Sequence, residues 1–214
     1  MVTAPRFDPL RLSDLDPGDL AVLEKRAVIE GVRFEVTSFE QADLTDAVLI
    51  ECLLDRVTLV DVQLRGARFS ESELVALNAP VLAAARSIWR DVVVRGSRIG
   101  SAELFEAQFS GTRILSSKLG YVNLRGAKLD NVEISGCTID ELDLGGVQAK
   151  RVAIVDCQIG TLDVTRAKLS NVDLRGTTFD TIVGLEGLRG ATIDEAQLAA
   201  LAPFLAESAG LSVQ

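Results

Sequence analysis

The 214-residue sequence contains no histidine, one tryptophan, one tyrosine and one methionine, and aromatic residues make up only 5% of it. Without an imidazole there is no base for Ser-His-Asp or Cys-His nucleophile systems and no ligand for histidine-containing zinc sites. The scarcity of rings is unusual for a chain that is 48% apolar, because large rings normally dominate a mixed core. Cysteine is scarce too. Cys52, Cys137 and Cys157 are an odd number without paired spacing, which points to a reducing compartment rather than a disulfide framework. The longest apolar-biased stretch, residues 75–85, is broken by Asn78 and Pro80 and cannot span a bilayer. The start of the chain has no charged-then-apolar leader. Basic residues number 22 against 31 acidic ones, a net charge of −9, which argues against neutralising nucleic-acid phosphates; acidity is also an ordinary route to solubility. These absences predict a soluble cytoplasmic protein with no direct nucleic-acid binding and no membrane contact.

What is present is a repeat. Every fifth residue from Phe34, through Phe39, Leu44, Leu49, Leu54 and onward to Leu174 and Phe179, is uncharged over thirty positions, and only Ala79, Ala84 and Ala149 among them are small. Two residues before each lies a second series that is Ala, Val, Ser, Thr, Cys or Leu throughout. A five-residue period fits neither the 3.6 of a helix nor the 2.0 of a strand. Two inward places spaced by two make one extended step, and the remaining residues must turn the chain before the next, so the chain winds into a solenoid. The 11 glycines between Val32 and Thr181 all fall on the two places after the large apolar residue. Seven take the second place, where a type II turn requires positive φ, and Pro80 sits at the first, where that turn accepts proline.

Segments such as Ala42-Asp43-Leu44-Thr45-Asp46, Val122-Asn123-Leu124-Arg125-Gly126 and Val172-Asp173-Leu174-Arg175-Gly176 resemble the pentapeptide-repeat family, whose motif reads Ala-Asp/Asn-Leu-X-X. The resemblance implies an all-β solenoid, a right-handed quadrilateral β-helix with four repeats per coil. Thirty repeats then make about 7.5 coils, a rod on the order of 36 Å long at strand spacing. Stacking at twenty-residue intervals predicts an aromatic ladder of Phe69, Trp89 and Phe109. It also predicts that Leu77 with Ala79, and Leu82 with Ala84, exchange the large and small slots at nearly constant volume. The three cysteines fall in the small inward slot, as buried inert thiols or, alternatively, as redox or metal ligands.

Residues 1–26 form a lead-in expected to be extended and to cover the first coil, 27–183 the β-helix, and 184–214 a C-terminal segment. Thr192 and Glu195 make a candidate capping box for a short α-helical cap through Leu198, Leu201 and Leu205, with Pro203 bending or restarting the helix and Gly210 closing it. An open β-helix end needs a cover. The pattern Ile193-Asp194, Gln197, Leu201, Leu205-Ala206, Gly210-Leu211 also resembles the C-terminal ends of quinolone-resistance pentapeptide proteins, which implies a homodimer. Leu198, Leu201, Phe204 and Leu205 are therefore candidates for a cap or for a dimer contact.

No catalytic motif, cofactor-binding loop or metal-ligand spacing is recognisable, so the expectation is a non-enzymatic protein without cofactor. Hexapeptide acyltransferases, the nearest enzymatic solenoids, need a period of six and a histidine. Glu103, Asn123, Asp143 and Asp163 occupy equivalent outward places in successive coils, either as a column that raises a pKa or holds a cation or as an ion-pair ladder with Arg125 and Arg166. The coil 75–94 turns Val75, Ala76, Val81, Ala83, Ala85, Ile88 and Val93 outward, a belt that either binds a partner or is covered by the N-terminal segment. Phe105 and Tyr121 are large rings at turn places, and Phe105 is expected to stack beside Arg125. Net charges of about −1, −3, −2 and +2 fall on the four faces, with Arg68, Arg90, Lys128, Lys150, Arg151 and Lys168 on the last. Two functions follow: a rod or scaffold that binds a protein partner or, from the family resemblance, an acidic DNA mimic that binds DNA gyrase.

Overall fold

The computed structural model describes residues 2–208 and 210. The repeats wind into a parallel β-helix whose four faces form two continuous parallel sheets, of 14 and 8 strands. The coil-to-coil register is twenty residues through the body, as in Leu49↔Phe69, Phe69↔Trp89 and Trp89↔Phe109. The rod is longer than the repeat count predicts. One ladder runs Pro17, Arg33, Leu53, Glu73, Val93, Arg113, Glu133, Ala153, Asp173, Thr192. Its nine steps span about 43 Å at strand spacing. The lead-in adds the first step with 16 residues instead of twenty, and the C-terminal segment adds the last with 19, which is why neither shows in the five-residue register.

Most of both inward series is buried, including Leu77 with Ala79 and Leu82 with Ala84; Ile114 and a few residues in the end coils, such as Ala42 and Leu169, are half-buried. Phe69 and Trp89 stack at 4.3 Å between centroids, and Trp89 and Phe109 at 5.9 Å. The Trp89 Nε1–H donates to the Ser87 hydroxyl at 2.7 Å, so the serine in the neighbouring small slot satisfies the one polar atom that the ring brings inside.

Hydroxyls and thiols in the small slot have a common task. Ser97 Oγ accepts from the Leu77 N–H, Ser117 Oγ from the Ser97 N–H, Cys137 Sγ from the Ser117 N–H and Thr177 Oγ1 from the Cys157 N–H. Each side chain reaches one coil back to a main-chain donor that the interior leaves without a carbonyl. The three cysteines are buried and free. Burial pushes the Cys52 thiol up from its ordinary range, and Cys157 is held up by the Cys137 thiol beside it and by burial.

Glycine serves two purposes at the corners. Those in the second place, such as Gly66 and Gly111, have φ of 69° and 64°. Those in the first place are required by close approach, since a Cβ on Gly120 would lie 2.2 Å from the Gly100 carbonyl oxygen and one on Gly100 2.6 Å from that of Pro80. The corner that holds these residues changes form at Pro80. Gln41 and Asp61 turn it with φ of 51° and 52°, whereas from Asn78–Ala83 onward six-residue strands pass through it unbroken.

Both ends are covered. At the N-terminus, Leu23 and Ala27 pack against the core and Gly18 lies so close to the Phe34 ring that a Cβ would meet it at 2.4 Å. At the C-terminus a single helix, Glu195–Ser208, closes the last coil and runs through Pro203. Its cap is not Thr192 with Glu195. Thr192 is held in a strand pair with Asp173, and Asp194 takes the capping place: its carboxylate accepts from the Gln197 N–H, and Gln197 Oε1 accepts from the Asp194 N–H, both at 2.9 Å. The buried Gln197 amide also donates to the Leu174 and Thr177 carbonyls at 2.6 and 2.7 Å, which fastens the helix to the rod. Leu211, the last member of the C-terminal pattern, lies outside the described residues. No helix among the described residues is long and apolar enough to cross a membrane.

Candidate interaction surfaces

The outward residues of coil 75–94 do not form one patch, because consecutive repeats look out of different faces. Val81 is exposed, Val75 and Ile88 are half-buried, and Val93 and Ala85 are buried. Val93 is covered by the lead-in, which does more than close the first coil. Asp8, Pro9, Leu10 and Arg11 flank a hollow with Glu71, Asp91, Val93 and Gly111. Further along, the Arg113 guanidinium lies 5.3 Å from the Phe7 ring centroid, and the Thr3 N–H donates to Asn171 Oδ1 at 3.4 Å. Residues 3–15 are thus an extended strap along the rod's flank, its half-buried Pro5, Phe7, Leu10 and Leu12 supplying the contact. Their apolar character, in two pairs spaced by two and separated by a step of three, is the one signal of this in the sequence.

The column of Glu103, Asn123, Asp143 and Asp163 stands in register across successive coils, yet its chemistry is structural. Asn123, Asp143 and Asp163 each accept from the N–H two residues on, at 3.1, 2.8 and 2.8 Å. This is the Asx turn that starts the corner. Asp143 is buried rather than outward; Arg125 donates to it at 2.7 Å and the Tyr121 hydroxyl at 3.3 Å. Arg125 also lies 3.7 Å from Asp163. The hydrogen bond and charge of Asp143 push the guanidinium pKa up from its ordinary value. Burial, then the negative charge of Asp143, pushes the Tyr121 hydroxyl up. Two expectations change as a result. Arg125 turns to the carboxylates instead of stacking on Phe105, which is half-buried, and Arg166 takes no part in an ion pair among the described residues. Glu103 is exposed.

The face with the positive balance is flat and long. Arg68, Arg90, Lys128, Lys150 and Lys168 are exposed and none forms an ion pair among the described residues. Asp130 is paired with Arg151, whose Nε also donates to Asn131 at 2.8 Å. Arg90, Gln108, Lys128, Lys150 and Lys168 border a shallow groove of about 540 Å³.

The C-terminal end is apolar. A cleft of about 360 Å³ lies between Phe179 and Ile182 of the last coil and Leu201 and Phe204 of the helix. Leu201 is buried, whereas Leu198, Phe204 and Leu205 are 52%, 40% and 42% exposed. Of the four residues that the sequence offers for cap or dimer, one therefore faces the rod and three face outward.

The family model for pentapeptide repeats matches residues 33–74, in eight copies. Among solved structures the chain is similar to HetL, a pentapeptide repeat protein involved in heterocyst differentiation regulation from the cyanobacterium Nostoc sp. strain PCC 7120. The identity is 19% over 79% of this chain and 90% of that one, with a TM-score of 0.39. It is also similar to QnrB1, a plasmid-mediated fluoroquinolone resistance protein. The trypsin-treated form is 16% identical over 92% of this chain and 96% of that one, with a TM-score of 0.46; the full-length form is 12% identical over 81% and 99%, with a TM-score of 0.44. No curated protein matches the chain. The five-residue register of the matched repeats continues through the coils to Phe179, so the likeness to the pentapeptide-repeat model extends along the body of the rod.

Proposed function

We propose that this protein is a non-enzymatic protein-binding rod that acts in the cytoplasm and pairs with a second copy through its C-terminal end. The observation that carries the reading is the apolar end itself. Leu198, Phe204 and Leu205 stand exposed beside a cleft floored by Phe179 and Ile182. Contiguous exposed apolar groups mark protein contacts, and a twofold pairing would bury these groups against their own copies. In this reading residues 27–183 are the body, 1–26 the lead-in, and 184–214 the cap and dimerisation segment. The three free, buried cysteines suit a reducing compartment.

The test is the solution mass by multi-angle light scattering, for the intact chain and for Phe204→Asp with Leu205→Asp. A dimer that becomes a folded monomer in the variant supports the reading; an intact chain that stays monomeric at high concentration refutes it. The acidic faces favour a second reading, a DNA mimic that binds DNA gyrase. The Arg125 guanidinium that offsets Asp143 and Asp163 weighs against it. Supercoiling by purified gyrase decides: inhibition or protection by this protein supports mimicry, and no effect at excess rejects it.

A further inference from the structure

We infer that the groove from Arg90 to Lys168 is a docking site for a short acidic segment of a partner protein. The inference rests on the reading of the chain as a protein-binding rod and gives one of its faces a partner chemistry. Lys128 and Lys168 stand in one outward column, two coils or about 10 Å apart. Lys150 stands in the parallel column on the coil between them, and Arg90 lies in that column nearer the N-terminal end. The result is a zigzag of exposed cations without counter-charge. The acid within it, Asp130, is already taken by Arg151. Like charges this close repel one another, and a carboxylate set between them relieves that repulsion.

The floor restricts how a partner is held. Its main-chain groups are spent between coils, as in Lys128 N–H to the Ala107 carbonyl, Gln148 N–H to Ala127 and Lys168 N–H to Val147, at 2.9, 3.0 and 2.8 Å. No strand edge is free for β-addition, so recognition falls to the side chains. The N-terminal strap runs beside Glu71, Asp91 and Gly111 and contributes no residue to the groove wall.

Charge also sets the length of the ligand. The whole chain carries −9, so a long polyanion such as a nucleic acid would run out of the groove into the field of the acidic faces. A segment of a few acidic residues stays within about one Debye length, roughly 8–10 Å, of the lysines.

The experiment is fluorescence anisotropy with a labelled octaglutamate peptide and, separately, a labelled oligothymidylate. Both are titrated with the intact protein, with Lys128→Glu/Lys150→Glu/Lys168→Glu and with the corresponding Gln variant, each checked for an unchanged circular dichroism spectrum. The groove predicts that the intact protein binds octaglutamate despite its own negative charge, that salt weakens the complex, and that the Glu variant loses at least about ten-fold in affinity with the Gln variant between the two. Failure to bind octaglutamate, or binding that survives both variants, overturns the inference. Tighter binding of oligothymidylate, lost in the variants, overturns it in favour of a nucleic-acid site. None of these outcomes alters the mass measured for the C-terminal pairing, so the two readings fail separately.

Discussion

Replacing Gln197 by methionine keeps the length and most of the volume of the side chain while removing every hydrogen bond its amide makes. In the native rod that amide donates to the Leu174 and Thr177 carbonyls and accepts from the Asp194 N–H. The Leu174 carbonyl keeps a second donor, the Thr177 N–H at 3.2 Å, so the substitution strips the Thr177 carbonyl and the Asp194 N–H. At about 1–3 kcal/mol for each polar group left unpaired, the cost of the two is about 2–6 kcal/mol. Gln197→Glu should cost more, because it sets an anion against two carbonyl oxygens. A solenoid is held together by nearest-neighbour interfaces, so this loss should stay local. Hydrogen exchange read by mass spectrometry should therefore find protection reduced in residues 172–205 and unchanged in the middle coils. Full protection at the C-terminal end of Gln197→Met would refute the amide as the fastening; uniform loss along the rod would refute the local coupling.

Leu124→Asp puts a carboxylate into an aliphatic column where Leu124 is 2% exposed. It should abolish soluble expression or bring a large loss of melting temperature, whereas a thermally unchanged protein would contradict the register. Asp143→Ala removes the acceptor for the Gly145 N–H and the partner of Arg125 and should cost about 1–3 kcal/mol in denaturant unfolding. Asp143→Asn, which keeps the turn acceptor, should recover most of it. Backbone hydrogen bonds from Gln197 and Gly176 hold the Asp194 carboxyl below its usual 3.8. A depressed carboxylate stabilises above its unfolded pKa and loses that contribution as pH falls through the folded one. Acidification below about 3.8 should thus fray the C-terminal helix earlier than the body, and Asp194→Asn should remove that step from a pH titration followed by hydrogen exchange.

The repeat was legible because two of every five residues fill an interior that admits one large and one small side chain, and no charge interrupts either series from Phe34 to Phe179. The same logic foretold the Phe69, Trp89 and Phe109 stack and the exchanged slots at Leu77 and Leu82. It stopped where the spacing changes. The outer steps of 16 and 19 residues leave no five-residue trace, so the rod is longer than the repeats alone imply. At the C-terminus, Thr192 with Glu195 and Asp194 with Gln197 have the same spacing. The second pair wins because Thr192 is already paired to Asp173, a contact between coils that sequence spacing does not encode. The supposed belt around Val81 dissolves for a geometric reason, since successive repeats face different sides of a square. The acidic column was located by register, but its hydrogen bonds to the following N–H groups make it part of the corner. The strap of residues 3–15 was nearly invisible, because nothing in an unrepeated segment names the surface it lies on. Scarcity of rings follows from the same narrow interior: wide rings enter only where a column stacks them.

Small-angle X-ray scattering on the intact chain, with mass from the forward intensity, tests the central claim most directly. A nine-turn rod joined to a second copy through its C-terminal end should give a dimer mass, the cross-section of a single rod and a maximum dimension of roughly 100 Å, about twice the 43 Å body plus its caps. A monomer mass with a maximum dimension near that of one capped rod, or a dimer with the cross-section of two rods side by side, would contradict it.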